Sequence, residues 1–219
     1  PTRQAGLAEV HAQALAGAFQ HTGSLRSAGL SRAAHWYAVR VRHDASDLDN
    51  ASQRNRWLLL VGASFIDDVR IWVERRNGSL EKWQLGDHFL SAERPLRARM
   101  HVAPFDIAPG EEVILWVRAQ STSLMNVTLA LAHPDAFFAR EARINWLLGM
   151  LLGILALAIV TYTLLGAWLR DRVLLAYALL VATQFLLFNG NTGMLMQLVR
   201  EAPWWMSDLA NGVGTLVTL

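Results

Sequence analysis

The chain of 219 residues has no cysteine, so it can form neither a disulfide framework nor a thiolate metal site. That absence fits a domain held outside the cytosol that avoids redox chemistry. Lysine is nearly missing too: 19 of the 20 cations are arginine, and the net charge is only +2. So weak and scattered an excess excludes a nucleic-acid footprint. His11, His21, His35, His43, His88, His101 and His133 show no metal-ligand spacing, and no G-x-S-x-G or phosphate loop is present. These absences predict no catalytic residue, no metal site and no cofactor. Asn50, Asn77 and Asn126 begin N-x-S/T sequons, which matter only in a glycosylating organism.

The most informative absence is local. Of 38 charged residues, only Arg170, Asp171 and Arg172 lie between Ile144 and Val199. Trp146–Leu169 runs 24 residues without a charge and contains twelve Leu, Ile or Val. A helix of that length covers a hydrocarbon core of about 30 Å. Its twelve aliphatic residues favour insertion by about 5 kcal/mol. A buried helix of a soluble protein keeps a polar stripe, whereas here only Thr161, Tyr162 and Thr163 interrupt the apolar surface. The stretch therefore predicts a membrane span. A second span is expected at about 173–195, after the Arg170–Arg172 turn. A third is expected at about 203–219, opened by Pro203-Trp204-Trp205 and broken off by the last residue. Pro1 with no preceding Met, and a chain that stops in an apolar run, predict a piece of a longer protein whose targeting segment lies upstream or was removed.

Before the spans the pattern is different. Leu7–Phe19 has helical spacing, and His21–Ala34 reads as a loop. From Trp36 the period is two: Tyr37, Val39 and Val41 share one face, and Trp36, Arg40 and Arg42 the other. Trp57–Val61 reads as a strand buried on both sides. Val69, Ile71 and Val73 alternate with Arg70, Trp72 and Glu74, and Asn77-Gly78 should turn the chain back into Leu80–Leu85. Alternation recurs over Leu96–Val102, over Val113–Arg118 after a Pro109-Gly110 turn, and over Met125–Leu131. Seven short alternating strands predict an antiparallel β-sandwich or jelly roll. The expected organisation is a sandwich at 1–133, a linker helix at 134–145 and a membrane region at 146–219.

Two constellations stand out. Trp36, Trp72 and Trp116 fall on the strand faces that carry Arg and Glu, as do Arg40, Arg97, Arg99 and Arg118. Flat apolar rings with a polar edge could floor a site for a sugar or an anionic ligand. The competing reading, and the commoner fate of tryptophan, is burial beneath a loop, the N-terminal helix or an arginine. In the first span Gly149 and Gly153 form a G-x-x-x-G that would allow close helix packing, within a bundle or between two copies. Arg140 and Arg143 on one side of that span balance Arg170 and Arg172 on the other, so charge leaves the orientation open.

The ordered features resemble the bacterial seven-transmembrane receptors with diverse intracellular signalling modules, in the subgroup whose outer domain is a jelly-roll sandwich. The resemblance rests on Trp36-Tyr37, Trp57-Leu58, Ile66–Trp72, Asn77-Gly78, Leu85-Gly86-Asp87, Arg94-Pro95-Leu96 and the Phe105–Gly110 turn. In the membrane part it rests on Gly149, Gly153, Tyr162, Arg170–Arg172 and Tyr177. Leu90, in place of Pro, and Thr163, in place of Asn, depart from the family pattern. The resemblance implies an N-terminal periplasmic sensor on the bacterial inner membrane, with Arg170–Arg172 inside. It also implies seven helices and a cytoplasmic histidine kinase or diguanylate cyclase beyond this chain. The expected function is ligand sensing passed through helix 146–169. The expected partners are the bilayer, an unknown small molecule of carbohydrate type or a periplasmic protein, and a second copy of the chain. The alternative is a carbohydrate-binding or adhesion module for which the helices are only an anchor; one span would suffice for that.

Overall fold

The computed structural model describes residues 6–19, 25–30, 33–44, 55–62, 66–86, 95–96, 98–121 and 124–192. It divides into two units, Pro1–Pro134 and Asp135–Leu219.

The first unit opens with helix α1 (Leu7–Leu15). Eight strands follow: β1 (Leu25–Leu30), β2 (His35–Arg42), β3 (Arg56–Gly62), β4 (Asp68–Arg75), β5 (Leu80–Leu85), β6 (His101–Asp106), β7 (Glu112–Gln120) and β8 (Leu124–Ala132). They form two antiparallel four-stranded sheets, ordered β1-β8-β3-β6 and β2-β7-β4-β5. Every connection except the β4–β5 hairpin crosses from one sheet to the other. The core between the sheets is made by odd-numbered residues, which the alternation assigns inward in β2, β4, β7 and β8 but not in β6, where Ala103 and Phe105 take the place expected of the even-numbered residues. Val69, Ile71, Val73, Val113, Leu115 and Val117 meet Leu59, Val61, Ala103, Phe105 and Val127 there, with Tyr37, Val39 and Val41 packed against them. In β3, Leu58, Leu59, Leu60 and Val61 are all buried, as a continuous apolar strand requires.

Turn chemistry closes the strands. The β4–β5 loop is Arg76-Asn77-Gly78, with the Gly78 N–H donating to the Arg75 carbonyl at 3.0 Å and Gly78 at φ 80°. That is a three-residue loop with its left-handed position filled by glycine. Pro109-Gly110, with Gly110 at φ 79° and the Glu111 N–H on the Ala108 carbonyl, has the Pro-then-Gly order of a type II turn.

Two expectations are corrected. The segment read as a loop at His21–Ala34 contains β1, an edge strand paired with β8 through a register shift between Ser27 and Gly29. Its sequence, LRSAGL, has low strand propensity, so its pairing with β8 decides its form. The strand read at Leu96–Val102 instead begins at His101 and runs to Asp106. Pro104 obscured it, but β6 is the outer strand of its sheet, where a missing N–H breaks no ladder on the free side.

The second unit is helical. Helix α2 runs unbroken over Pro134–Leu169, so the expected linker and first span are one helix. Helix α3 covers Arg172–Thr192. The stretches Pro134–Leu169 and Arg172–Gly190 are long and apolar enough to cross a membrane. The expected residues 193–195 and the third span at 203–219 lie outside the described residues. Between the helices Arg170 takes φ 52°, and the Asp171 N–H donates to the Gly166 carbonyl at 3.0 Å, a Schellman-type end. The Asp171 carboxylate then accepts the Val173 N–H at 2.8 Å and caps α3.

Candidate functional site

The outer face of the β2-β7-β4-β5 sheet carries the even-numbered residues of its strands, and the register sets them in rows. One row runs Trp36, Arg118, Arg70, Gln84; the next runs Ala38, Trp116, Trp72, Lys82; a third runs Arg40, Ile114, Glu74, Leu80. The strands therefore bring Trp36, Trp72, Trp116 and Arg118 to one surface. Trp36 stacks on Trp72 with centroids 5.1 Å apart and planes 19° apart. The Trp116 indole N–H donates to Glu74 Oε2 at 2.7 Å.

Helix α1 lies across the middle of these rows. Val10 is 1% exposed and forms an apolar cluster with Trp72 and Trp116, joined by Leu7, Ala14, Phe19, Trp36 and Ile114. The His11 ring sits 4.6 Å from Trp116, and its Nε2 is 3.1 Å from the same Glu74 oxygen that the indole uses. Phe19 meets Trp116 edge-on at 5.9 Å. Trp72 and Trp116 are consequently buried, at 9% and 5% exposure.

The row of Trp36, Arg118, Arg70 and Gln84 is charged, and the Arg118 side chain in it is 11% exposed. Arg118 Nη1 donates to Asp68 Oδ2 at 2.7 Å and Nη2 to Gln120 Oε1 at 2.6 Å, while Arg70 Nε reaches both Asp68 oxygens at 3.1 and 3.2 Å. Two guanidiniums thus share one carboxylate, leaving a local surplus of one positive charge beside the half-buried Trp36. Arg40 is turned aside, exposed and paired with Glu112 at 3.2 Å.

Arg99 does not join this group. It lies two residues before the start of β6, which belongs to the opposite sheet. Arg97 lies outside the described residues. Sequence reasoning missed His11, Glu74 and Asp68. Asp68 and Glu74 had a signal, since both have the parity of Arg70 and Trp72 on one strand; His11 on a separate helix had none.

At the other end of this sheet a second polar cluster holds the β6–β7 turn. Glu111 accepts the Ala108 N–H at 2.8 Å and Arg75 Nη1 at 2.8 Å, and Arg75 Nη2 donates to the Asp106 carbonyl at 2.7 Å. Burial works to raise the Glu111 pKa, but those two hydrogen bonds and the Arg75 charge overcome it and hold the carboxyl below its ordinary value. Beside it the buried His43 places Nδ1 3.2 Å from the Ile107 carbonyl. Among the described residues no group of His, Asp and Glu could hold a metal ion.

In the helical unit, Gly149 and Gly153 are exposed, and a Cβ at either would meet nothing within 4 Å among the described residues. The close approach falls at Gly166, where a Cβ would stand 2.9 Å from Leu175 Cδ2 and 3.1 Å from its backbone nitrogen. That contact comes from the tight turn after Leu169, which spacing in the first span could not reveal.

The chain is thus a β-sandwich with a covered aromatic face, followed by two helices long and apolar enough to cross a membrane. Residues 1–133 match the family described as 7TMR-DISM extracellular 2, and the chain belongs to that family. It therefore carries the extracellular sensing domain of a membrane receptor, with a periplasmic N-terminal domain and no enzymatic role for that domain. No curated protein matches the chain.

Proposed function

We propose that residues 1–133 bind a ligand on the outer face of the β2-β7-β4-β5 sheet and that α2 passes the event through the inner membrane. The output domain is a histidine kinase or diguanylate cyclase outside this chain. The observation that carries the reading is the gathering of Trp36, Trp72, Trp116 and Arg118 on one face by four strands. The strand orders 1-8-3-6 and 2-7-4-5 support reading the sandwich as a jelly roll. The row of Trp36, Arg118, Arg70 and Gln84 combines an indole with two guanidiniums, which suits a ligand with an apolar ring face and hydroxyl or carboxylate groups and favours a neutral or acidic sugar.

Transmission through α2 is a population shift: ligand that prefers one arrangement of the sandwich biases the position of the helix. The uninterrupted Pro134–Leu169 helix supports a rigid connection. The test has two arms on the chain in nanodiscs and in its full reading frame. A panel of neutral and acidic oligosaccharides should raise the unfolding temperature of the wild-type chain but not of Arg118→Ala. A flexible Gly-Ser insertion beside Ala142 should abolish signalling while leaving binding intact. Failure of every sugar would remove the ligand reading, and intact signalling after insertion would remove the lever.

A further inference from the structure

The platform of Trp72 and Trp116 is built without α1. Trp72 and Trp116 are direct cross-strand partners, Trp36 stacks on Trp72, and Glu74 holds the Trp116 indole, all within the sheet. What covers the platform is slight by comparison. Helix α1 has nine residues, fewer than an isolated helix needs for stability in water. Val10 is its only buried residue, and Gly6 at its N-cap supplies no side-chain hydrogen bond. Its polar contact with the sheet, His11 to Glu74, has side chains 33% and 28% exposed, a setting in which such contacts contribute little. Weakly held elements open separately from the strands they cover.

We infer that α1 is a displaceable cover, which undocks while the sandwich stays folded and thereby gates access to Trp72 and Trp116. This rests on the reading of that face as the ligand surface. It also sharpens the ligand's chemistry. In the closed form the His11 ring sits against Trp116 at a 45° tilt, with Nε2 3.1 Å from the Glu74 carboxylate. A ligand that takes its place must offer a flat face of similar size and a hydrogen-bond donor for the Glu74 carboxylate. A pyranose ring with an equatorial hydroxyl meets both demands, whereas a purely anionic ligand is repelled by Glu74.

The absence of cysteine allows a single thiol reporter, Ile114→Cys, placed in the row that α1 covers. With the chain in nanodiscs, an uncharged maleimide should label it slowly. Adding Val10→Ala, which removes two buried methyl-sized groups, should raise the labelling rate about tenfold. Hydrogen exchange of β4 and β7 should stay unchanged. An unchanged labelling rate would overturn the inference, as would β4 and β7 exchanging faster in step, because α1 would then open only with the sandwich. Should Val10→Ala fail to fold, Leu7→Ala gives the same test with a smaller increase. Methyl glucoside and glucuronate serve as probes in a separate arm. If opening is seen and neither sugar slows labelling, the cover stands and the sugar reading falls. If labelling does not respond to α1, the cover falls whatever the sugars do.

Discussion

The two units spend the same residue types in opposite ways. In the sandwich Leu58, Leu59, Leu85 and Leu115 are at most 1% exposed, while Arg40, Arg42, Asp44 and Arg76 stand outside. In the helical unit Leu157, Leu164, Leu179 and Trp168 are 66%, 65%, 71% and 80% exposed, with no charge between Ile144 and Leu169. A sheet that alternates can hide one face from water and solvate the other. A helix apolar on all sides has no face to give to water and requires hydrocarbon around it. One chain is thus written for two solvents, and equal substitutions should have unequal effects in them.

The sharpest contrast is Leu59→Ala against Leu157→Ala. The first opens a cavity between the sheets and should cost about 3 kcal/mol, read as a lower unfolding temperature of the sandwich by near-ultraviolet circular dichroism. The second should leave unfolding in detergent micelles almost unchanged. Gly86→Ala should rival Leu59→Ala, at about 3 kcal/mol. Gly86 sits at φ 140°, and its added Cβ would land on the Asp67 carbonyl. If Leu157→Ala proves as costly as Leu59→Ala, that residue is buried in protein rather than facing lipid.

Within the helical unit the comparison repeats between glycines. Gly166→Ala pushes on Leu175 and should cost about 1 kcal/mol of hairpin stability. Gly149→Ala should be neutral or stabilising by up to about 1 kcal/mol through helix propensity. Thermal unfolding followed by far-ultraviolet circular dichroism distinguishes them, and a costly Gly149→Ala would reveal a helix packed on that face.

The remaining effect is electrostatic and belongs to the sandwich alone. The folded-state pKa of Glu111 is depressed, so its contribution is fully present above its ordinary value of 4.5 and fades as pH falls through the lower folded value. Glu111→Gln should cost about 1 kcal/mol at pH 7, and the gap to wild type should narrow below about pH 4.5. A gap constant between pH 7 and pH 3 would show that the Arg75 and Ala108 contacts do not depend on the charge.

The sequence made the period of most segments legible, and with it the sandwich, the inward residues of β2, β4, β7 and β8 and the two long apolar helices. Tyr37, Val39 and Val41, or Val113, Leu115 and Val117, need only their alternation to be placed. Position across strands was not legible. The alternation sets Arg99 on a polar face as it does Arg118, yet Arg99 precedes a strand of the other sheet whose odd-numbered Ala103 and Phe105 face the core, because a local period says nothing of which sheet a strand joins. The partners of Trp116 illustrate the same limit. His11 and Glu74 are 63 residues apart, and no local pattern links them. Pro104 hid a strand because its tolerance depends on β6 being an edge, a property of topology rather than of the residue.

An outer sensor requires the sandwich and the α2–α3 turn to meet opposite sides of the membrane. Because the chain has no cysteine, Asn77→Cys at the exposed β4–β5 turn and Arg172→Cys at the start of α3 can be labelled singly in spheroplasts with a membrane-impermeant maleimide. The prediction is that Asn77→Cys labels at once in intact spheroplasts and Arg172→Cys only after lysis. Labelling of Arg172→Cys from outside, or protection of Asn77→Cys until lysis, would contradict an outer sensor joined to an inward-turning helical hairpin.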